Sequence, residues 1–342
     1  MRMKRSTFLL FAAGIFTTSH LYAQKIAGRP ASIGIIGDTA DVKTPVKAGV
    51  ALIGGTDIDA AFKWLLKRSG GGDVVVLRAT GTDAYNEYID KLGTSNSVET
   101  LLIDSRAVAN NDSVARIIRN AELLFIAGGD QSNYMRYWRN TKTNDAINYL
   151  LRTKKVPVGG TSAGCAILGS MYYSGEGGSV TAEQALANPY DALIKVYTND
   201  FLQAPYLDNV ITDQHYLARH REGRHVAFMA RIIQDKKLYP KGIAPDESTA
   251  VCIDEKGNAT VVGNSKAYFI ATDKKKGPEQ VVFGSPLQWM AGQQALKVYE
   301  IQGTEEGNGS FNVANFTSPQ AQGGTWYWWW VENGILNKKQ AL

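Results

Sequence analysis

The stretch Val156-Pro157-Val158-Gly159-Gly160-Thr161-Ser162-Ala163-Gly164 reads as a short buried strand, a tight turn and the start of a helix that runs from Ala163 towards Leu168. Within it, Gly160-Thr161-Ser162-Ala163-Gly164 fits Gly-x-Ser-x-Gly. In that pattern small neighbours allow a serine to occupy a sharp strand-to-helix turn with its hydroxyl exposed. The first amides of the helix, with their partial positive charge, would favour an oxyanion beside that hydroxyl. The same five residues also suit a phosphate-binding turn or a plain tight connection.

Working outward, the chain alternates strand and helix from about residue 46. Ala48 to Ile53 is apolar and ends in Gly54-Gly55. Asp57 to Lys67 follows with apolar residues at helical spacing (Ile58, Ala61, Phe62, Leu65, Leu66). Val74 to Leu77 is a continuous run of the kind found in strands buried on both faces, and Leu101 to Ile103 and Leu123 to Ala127 repeat it. Alternation of this kind predicts a three-layer α/β/α domain with a mostly parallel sheet. Ligands of such sheets lie at the carboxyl ends of strands, here Arg78 to Gly81, Gly128 to Gln131 and Gly159 to Gly164. Gly54-Gly55 lacks the third glycine of a dinucleotide fingerprint.

The ends of the chain differ from its middle. Met1-Arg2-Met3-Lys4-Arg5, the apolar Phe8 to Phe16 and Leu21-Tyr22-Ala23 read as a secretory signal over residues 1–23, which predicts an exported, periplasmic or extracellular protein without a membrane anchor. Without that segment the net charge falls from +5 to +2. A nearly neutral chain offers no electrostatic case for nucleic acid. Residues 24–294 form the expected catalytic domain. Residues 295–342 read as a small β extension, in which Trp326-Tyr327-Trp328-Trp329-Trp330 is more readily a packed strand than a ligand platform. Cys165 and Cys252 could pair or stay free, and no spacing suits a metal. No cofactor is expected.

A nucleophilic serine needs a base, and the chain has four histidines. His20 lies in the signal. His220 and His225 fall in Leu217 to Ile233, which reads as a helix, whereas His215 follows the apolar Val210-Ile211 and is the preferred base. The carboxylate that orients it is Glu247 by first choice, with Asp246 and Asp213 as alternatives. Arg219, Arg221 and Arg224 nearby suit an anionic substrate group, or else form a solvated basic face. In Gly128-Gly129-Asp130-Gln131 the glycines permit close approach of the backbone and the amide side chain can hold a substrate.

Taken together, Gly128-Gly129-Asp130-Gln131, Gly160-Thr161-Ser162-Ala163-Gly164, Asp213-Gln214-His215 with the three arginines, and Asp246-Glu247 before a strand resemble cyanophycinase and, more distantly, aspartyl dipeptidase. The resemblance covers roughly residues 46 to 270, in the order Ser, His, Glu. It implies a class I glutamine-amidotransferase-like fold and a triad of Ser162, His215 and Glu247. It further implies oxyanion donors around Gly129, Asp130 and Ala163, and substrate contacts from Gln131, Asp213, Gln214, Arg219, Arg221 and Arg224. The implied activity is that of a dimeric serine exopeptidase releasing β-aspartyl-arginine units. Cys165 stands where the family would have alanine, Arg78-Ala79-Thr80-Gly81 replaces a shorter uncharged strand end, and residues 271–342 have no recognised counterpart. A different reading is a non-catalytic peptide- or glycan-binding protein, and a third is an amidase or esterase on the same scaffold.

Overall fold

The computed structural model describes residues 28–316 and 321–341, so the expected signal at 1–23 lies outside the described residues. In chain order the strands are β1 (Ser32–Gly37), β2 (Gly49–Ile53), β3 (Asp73–Arg78), β4 (Ser97–Leu102), β5 (Leu123–Ile126) and β6 (Pro157–Thr161). There follow β7 (Met171–Tyr173), β8 (Val196–Thr198), β9 (Val210–Thr212), β10 (Lys241–Pro245), β11 (Thr249–Asp254) and β12 (Asn258–Gly263). The last are β13 (Lys266–Thr272), β14 (Leu296–Gln302), β15 (Gly309–Asn312), β16 (Gly324–Glu332) and β17 (Ile335–Gln340). The α-helices are α1 (Asp59–Ser69), α2 (Tyr85–Leu92), α3 (Arg106–Ala109), α4 (Asp112–Asn120), α5 (Gln131–Trp138), α6 (Lys142–Tyr149), α7 (Ala163–Ala166), α8 (Ala182–Ala187) and α9 (Glu222–Lys236).

Two sheets result. The first runs β1-β4-β3-β5-β6-β2-β11-β12-β15. Its five central strands, β4 to β2, are parallel. The flanking β1, β11, β12 and β15 are antiparallel. The second sheet runs β17-β16-β14-β13-β10-β9-β7-β8 and is parallel only where β9 meets β10 and β7. The expectation of a mostly parallel sheet is therefore corrected: the fold is mixed α/β. An apolar run reports burial on both faces and not strand direction. The short turn that joins β11 to β12 forces an antiparallel pair.

Alternation along each strand distributes the core. Val74 and Val76 of β3 face Phe62 and Leu65 of α1 and Ile89 of α2. Val75 and Leu77 face the opposite way, into a cluster with Ile118 of α4, Trp138 of α5, and Phe269 and Ile301 of the second sheet. The far face of that sheet (Tyr268, Ile270, Val298) is covered by Val226 and Phe228 of α9. The residues after 295 do not stand apart: β15 extends the first sheet, and β14, β16 and β17 extend the second. Trp329 is buried, and Lys297 and Lys276 lie over the rings of Trp326 and Trp328. Cys165 and Cys252 are buried free thiols. Among the described residues no helix is long and apolar enough to cross a membrane.

Candidate active site

Ser162 sits between β6 and α7 with φ 52° and ψ −116°, a conformation that L residues adopt at a cost of order 1–3 kcal/mol. Its neighbours make that turn possible. A Cβ on Gly164 would lie 2.1 Å from the Ile126 carbonyl oxygen, and one on Gly160 would lie 2.6 Å from Gly164. The Ser162 amide donates to Ile53 O at the end of β2 (3.0 Å), which places the serine at the carboxyl edge of the parallel strands. The helix after it is shorter than the sequence suggests, Ala163–Ala166, and Ala163 provides its first amide.

His215 lies 53 residues further on, just past β9, and reaches the serine directly: its Nε2 is 2.7 Å from Ser162 Oγ. Its Nδ1 is 2.6 Å from Glu247 Oε1. Two glycines hold the ring there. Gly54 O accepts the His215 amide (2.7 Å), and a Cβ on Gly55 would stand 2.3 Å from the ring's Cε1. Burial pushes the His215 pKa down, the Glu247 hydrogen bond opposes this, and the Arg219 and Arg221 charges add to the fall, so the net shift is below the usual 6.5.

The two alternative carboxylates are engaged elsewhere. Asp246 accepts from the Leu217 and Ala218 amides and the Ser265 hydroxyl (2.8, 3.0 and 2.6 Å), holding the segment that follows His215. Asp213 takes a two-pronged contact from Arg224 at 2.8 and 2.5 Å. Burial would raise the Asp213 pKa, but Arg224 and Arg221 outweigh it and the net shift is downward. Of the three acids considered, Glu247 is the one that touches the imidazole.

The cluster opens into a cleft of about 350 Å³ lined in part by Gln131, Tyr173, Gln214, Arg219, Arg221 and Arg224. The basic residues are not a solvated helix face. Arg221 and Arg224 are 8% and 2% exposed, and α9 begins only at Glu222, so Leu217 to Arg221 is turn and not the helix expected there. Arg221 donates to Gln214 O (2.9 Å), and burial lowers its pKa to about 10. With its amide turned to suit both neighbours, Gln214 donates to Asp213 (2.7 Å) and accepts from Arg221 (3.3 Å). Arg219 is more exposed, with Nε 3.7 Å from Glu247 Oε1. His220 is exposed, whereas His225 is fully buried between Tyr216 and Ile211 O, and burial lowers its pKa to about 4.

Opposite the serine lies Gly128-Gly129-Asp130-Gln131. A Cβ on Gly128 would come within 3.3 Å of Ser162 Cβ, so the peptide before Gly129 abuts the hydroxyl. Asp130 caps α5 by accepting the Ser132 amide (2.9 Å), and Gln131 begins the helix beneath Gly175. Several site residues escaped the sequence reading. Tyr134 donates its hydroxyl to Ala127 O (2.7 Å) and Gly128 O (3.2 Å), fixing this loop. Tyr173 lies under the Arg224 guanidinium, and Ser179 accepts from it (3.2 Å). The glycine-rich run Gly175-Glu176-Gly177-Gly178 was the available signal for a loop bordering a site. Among the described residues no group of three or more His, Cys, Asp or Glu could hold a metal ion.

A hydroxyl, an imidazole and a carboxylate in one hydrogen-bonded line at the start of a helix is the arrangement of a serine hydrolase. The chain belongs to Peptidase family S51, whose sequence pattern matches residues 58–261, the span that holds Ser162, His215 and Glu247. It is 23% identical over 243 residues to a cyanophycinase of Geminocystis herdmanii, covering 67% of this chain and 82% of that one. It is 26% identical over 238 residues to a cyanophycinase of Synechococcus elongatus, covering 66% and 68%. The crystal structure of a peptidase from an acI-B1 Actinobacterium superposes with a TM-score of 0.51 at 16% identity, covering 79% of this chain and 98% of that one, and so shares the fold. The protein is accordingly a hydrolase of the peptidase class, similar to cyanophycinases.

Proposed function

We propose that the chain is an exported serine exopeptidase that cleaves peptide bonds next to acidic residues, β-linked aspartate foremost, through Ser162, His215 and Glu247. Ser162 Oγ attacks the scissile carbonyl while His215 Nε2 takes its proton, and Glu247 holds the ring and stabilises the imidazolium. The amides of Gly129, Asp130 and Ala163 receive the oxyanion, each donor being worth on the order of 10²–10³ in rate. Collapse breaks the C–N bond, with the proton passing from His215 to the leaving amine. Water then enters by the same route, reversed, and frees the serine.

The observation that carries this reading is the continuous Ser162–His215–Glu247 line at 2.7 and 2.6 Å. It opens on a cleft lined by Arg219, Arg221 and Arg224 together with Asp130, in which Arg221 and Arg224 pair with Asp213 and the more exposed Arg219 lies 3.7 Å from Glu247. The forked guanidinium of Arg219, backed by Arg221 and Arg224, suits a carboxylate beside the scissile bond, with Gln131 and Gln214 as further contacts. The likeness to cyanophycinases makes cyanophycin the first substrate to try. Parallel strands flanked by helices on one face and by helices and a second sheet on the other support a class I glutamine-amidotransferase-like fold. Export and dimerisation belong to the same reading, the former supported by the basic-apolar-small order of residues 1–23.

Incubation with β-aspartyl dipeptides and with cyanophycin, followed by mass analysis of products, tests it. Ser162→Ala is expected to abolish both hydrolysis and fluorophosphonate labelling while leaving the melting transition in place. Undiminished turnover by that variant would remove Ser162 from the mechanism.

A further inference from the structure

A second cavity, of about 420 Å³, adjoins the cleft at Ser162 and shares Ser132 and Gly177 with it. Its wall is one stripe of α5 and the residue capping it. Ser132, Arg136 and Arg139 follow at intervals of four and three residues, the spacing that places side chains on one helix face. Arg106 of α3 joins them.

The charges here are held in place but poorly neutralised. Arg106 donates to the carbonyl oxygens of Arg136, Arg139 and Asn140 (3.4, 3.0 and 3.2 Å). Those acceptors satisfy the end of α5 and fix the guanidinium without cancelling its charge. Arg136 donates to Asn133 Oδ1 and to the Tyr137 hydroxyl, again neutral partners. Among the described residues neither arginine makes an ion pair, whereas Arg139 pairs with Asp200 at 3.2 Å. The cavity's own carboxylate, Glu176, accepts from the Tyr197 hydroxyl (2.8 Å). With Arg139 paired to Asp200, the guanidinium groups of Arg106 and Arg136 share the cavity with one carboxylate, Glu176, and their forked geometry matches a further carboxylate.

We propose that this cavity is a second subsite, which seats an acidic side chain of an extended peptide whose reacting end lies at Ser162. The inference rests on the peptidase reading of the adjoining cleft. At about 1.5 Å per helical residue, Arg136 and Arg139 lie about 6 and 10 Å along α5 from Ser132. An extended peptide advances about 3.3 Å per residue, so the acid that binds is two or three residues beyond the group held in the first cleft. A dipeptide cannot reach it. Gly177, at φ +91° with only Leu193 within 4 Å of a would-be Cβ, leaves the passage between the two cavities low.

The test uses the full chain as the Ser162→Ala variant and two fluorescein-labelled hexapeptides, one with aspartates in the distal half and one with asparagines there, read by fluorescence polarisation. The aspartate peptide is expected to bind at least tenfold more tightly, with an advantage that shrinks as salt rises. Adding R106Q and R136Q should erase that advantage and leave the asparagine peptide's affinity unchanged, and R136K should retain most of it. If R106Q loosens the end of α5 and lowers the melting temperature, R136Q alone carries the comparison, because Arg136 is exposed and its side-chain partners are in its own helix. Equal affinity for the two peptides, binding of neither, or an advantage that survives loss of both arginines would overturn the subsite. Arginine-dependent binding without hydrolysis of any peptide by the parent enzyme would instead reject the peptidase reading and keep the subsite.

Discussion

At the His215 imidazole two influences oppose each other, and their balance sets the pH range of the reaction. Burial favours the neutral ring, and so do the Arg219 and Arg221 cations, whereas Glu247 favours the charged ring; the first group wins and the pKa is lowered. A general base must be neutral to accept the Ser162 proton, so activity is present above this pKa and lost as pH falls through it. The acid limb of kcat/KM is therefore expected below pH 6.5, the ordinary imidazole value. Arg219→Gln removes a cation 3.7 Å from Glu247 and one of the influences that lower the pKa, so the limb should move towards higher pH. Substrate binding also loses a contact in that variant, so the position of the limb and not the height of the profile is the readout. A profile that stays in place or moves towards acid would show that Arg219 does not act on the base. The three candidate acids illustrate what one residue's sequence context can reveal. Asp213, Asp246 and Glu247 all flank strand ends, and only their partners, Arg224 for Asp213, the Leu217 and Ala218 amides for Asp246 and the imidazole for Glu247, distinguish them.

Among the elements, the strand ends were legible and the contacts between them were not. Gly160-Thr161-Ser162-Ala163-Gly164 carries its own explanation, because a serine at φ 52° between crowded glycines is a local matter. Gly54-Gly55 carries none. In the sequence the pair reads as an incomplete nucleotide fingerprint, yet it forms the seat of an imidazole 160 residues away. β2 and β11 pair in antiparallel register with Ile53 opposite Ala250, which brings the glycines after β2 beside the residues before β11. Gly54 then accepts the His215 amide, and Gly55 leaves the space that the ring fills. Gly55→Ala is the test that isolates this seat. Its Cβ would lie 2.3 Å from Cε1 and 2.4 Å from Nδ1, closer than any contact can be, on a backbone at φ +148° that side chains avoid. The ring must move, and a displacement of about 1 Å can cost on the order of 10²-fold in rate. The expected result is a fall of that size in kcat and in fluorophosphonate labelling. Full activity would mean that His215 tolerates displacement, and with it that the 2.7 Å contact to Ser162 is not required.

For the whole molecule, the apolar runs before residue 130 gave away the buried parallel strands, since Val74 to Leu77 packs against helices on one side and a second core on the other. One half of the second sheet was hidden because three of its strands are short and scattered, Met171–Tyr173, Val196–Thr198 and Val210–Thr212 having only three residues each. Its other half comes largely from the end of the chain, which the sequence presents as a small β extension, packed on the main domain or forming its own hairpins. Whether residues 295–341 are an appendage or part of the core can be decided by removing them. β14 lies between β13 and β16, and its Leu296, Val298 and Ile301 are fully buried, as are Trp329 and Val331 of β16 and Phe311 of β15. Burying one such side chain is worth about 1.5–3 kcal/mol. A whole domain is stable by only about 5–15 kcal/mol, so losing six of them exceeds or exhausts the margin. Deletion would also bare the edges of β12 and β13, and unpaired edges of that kind template aggregation. A chain ending at residue 294 is therefore expected to be insoluble or to lack a cooperative melting transition, with no fluorophosphonate labelling of Ser162, although every residue assigned to the reaction is still present. A soluble truncated chain that melts cooperatively and is still labelled would show instead that the two sheets close without their last four strands, and that the extension serves something other than the stability of the site.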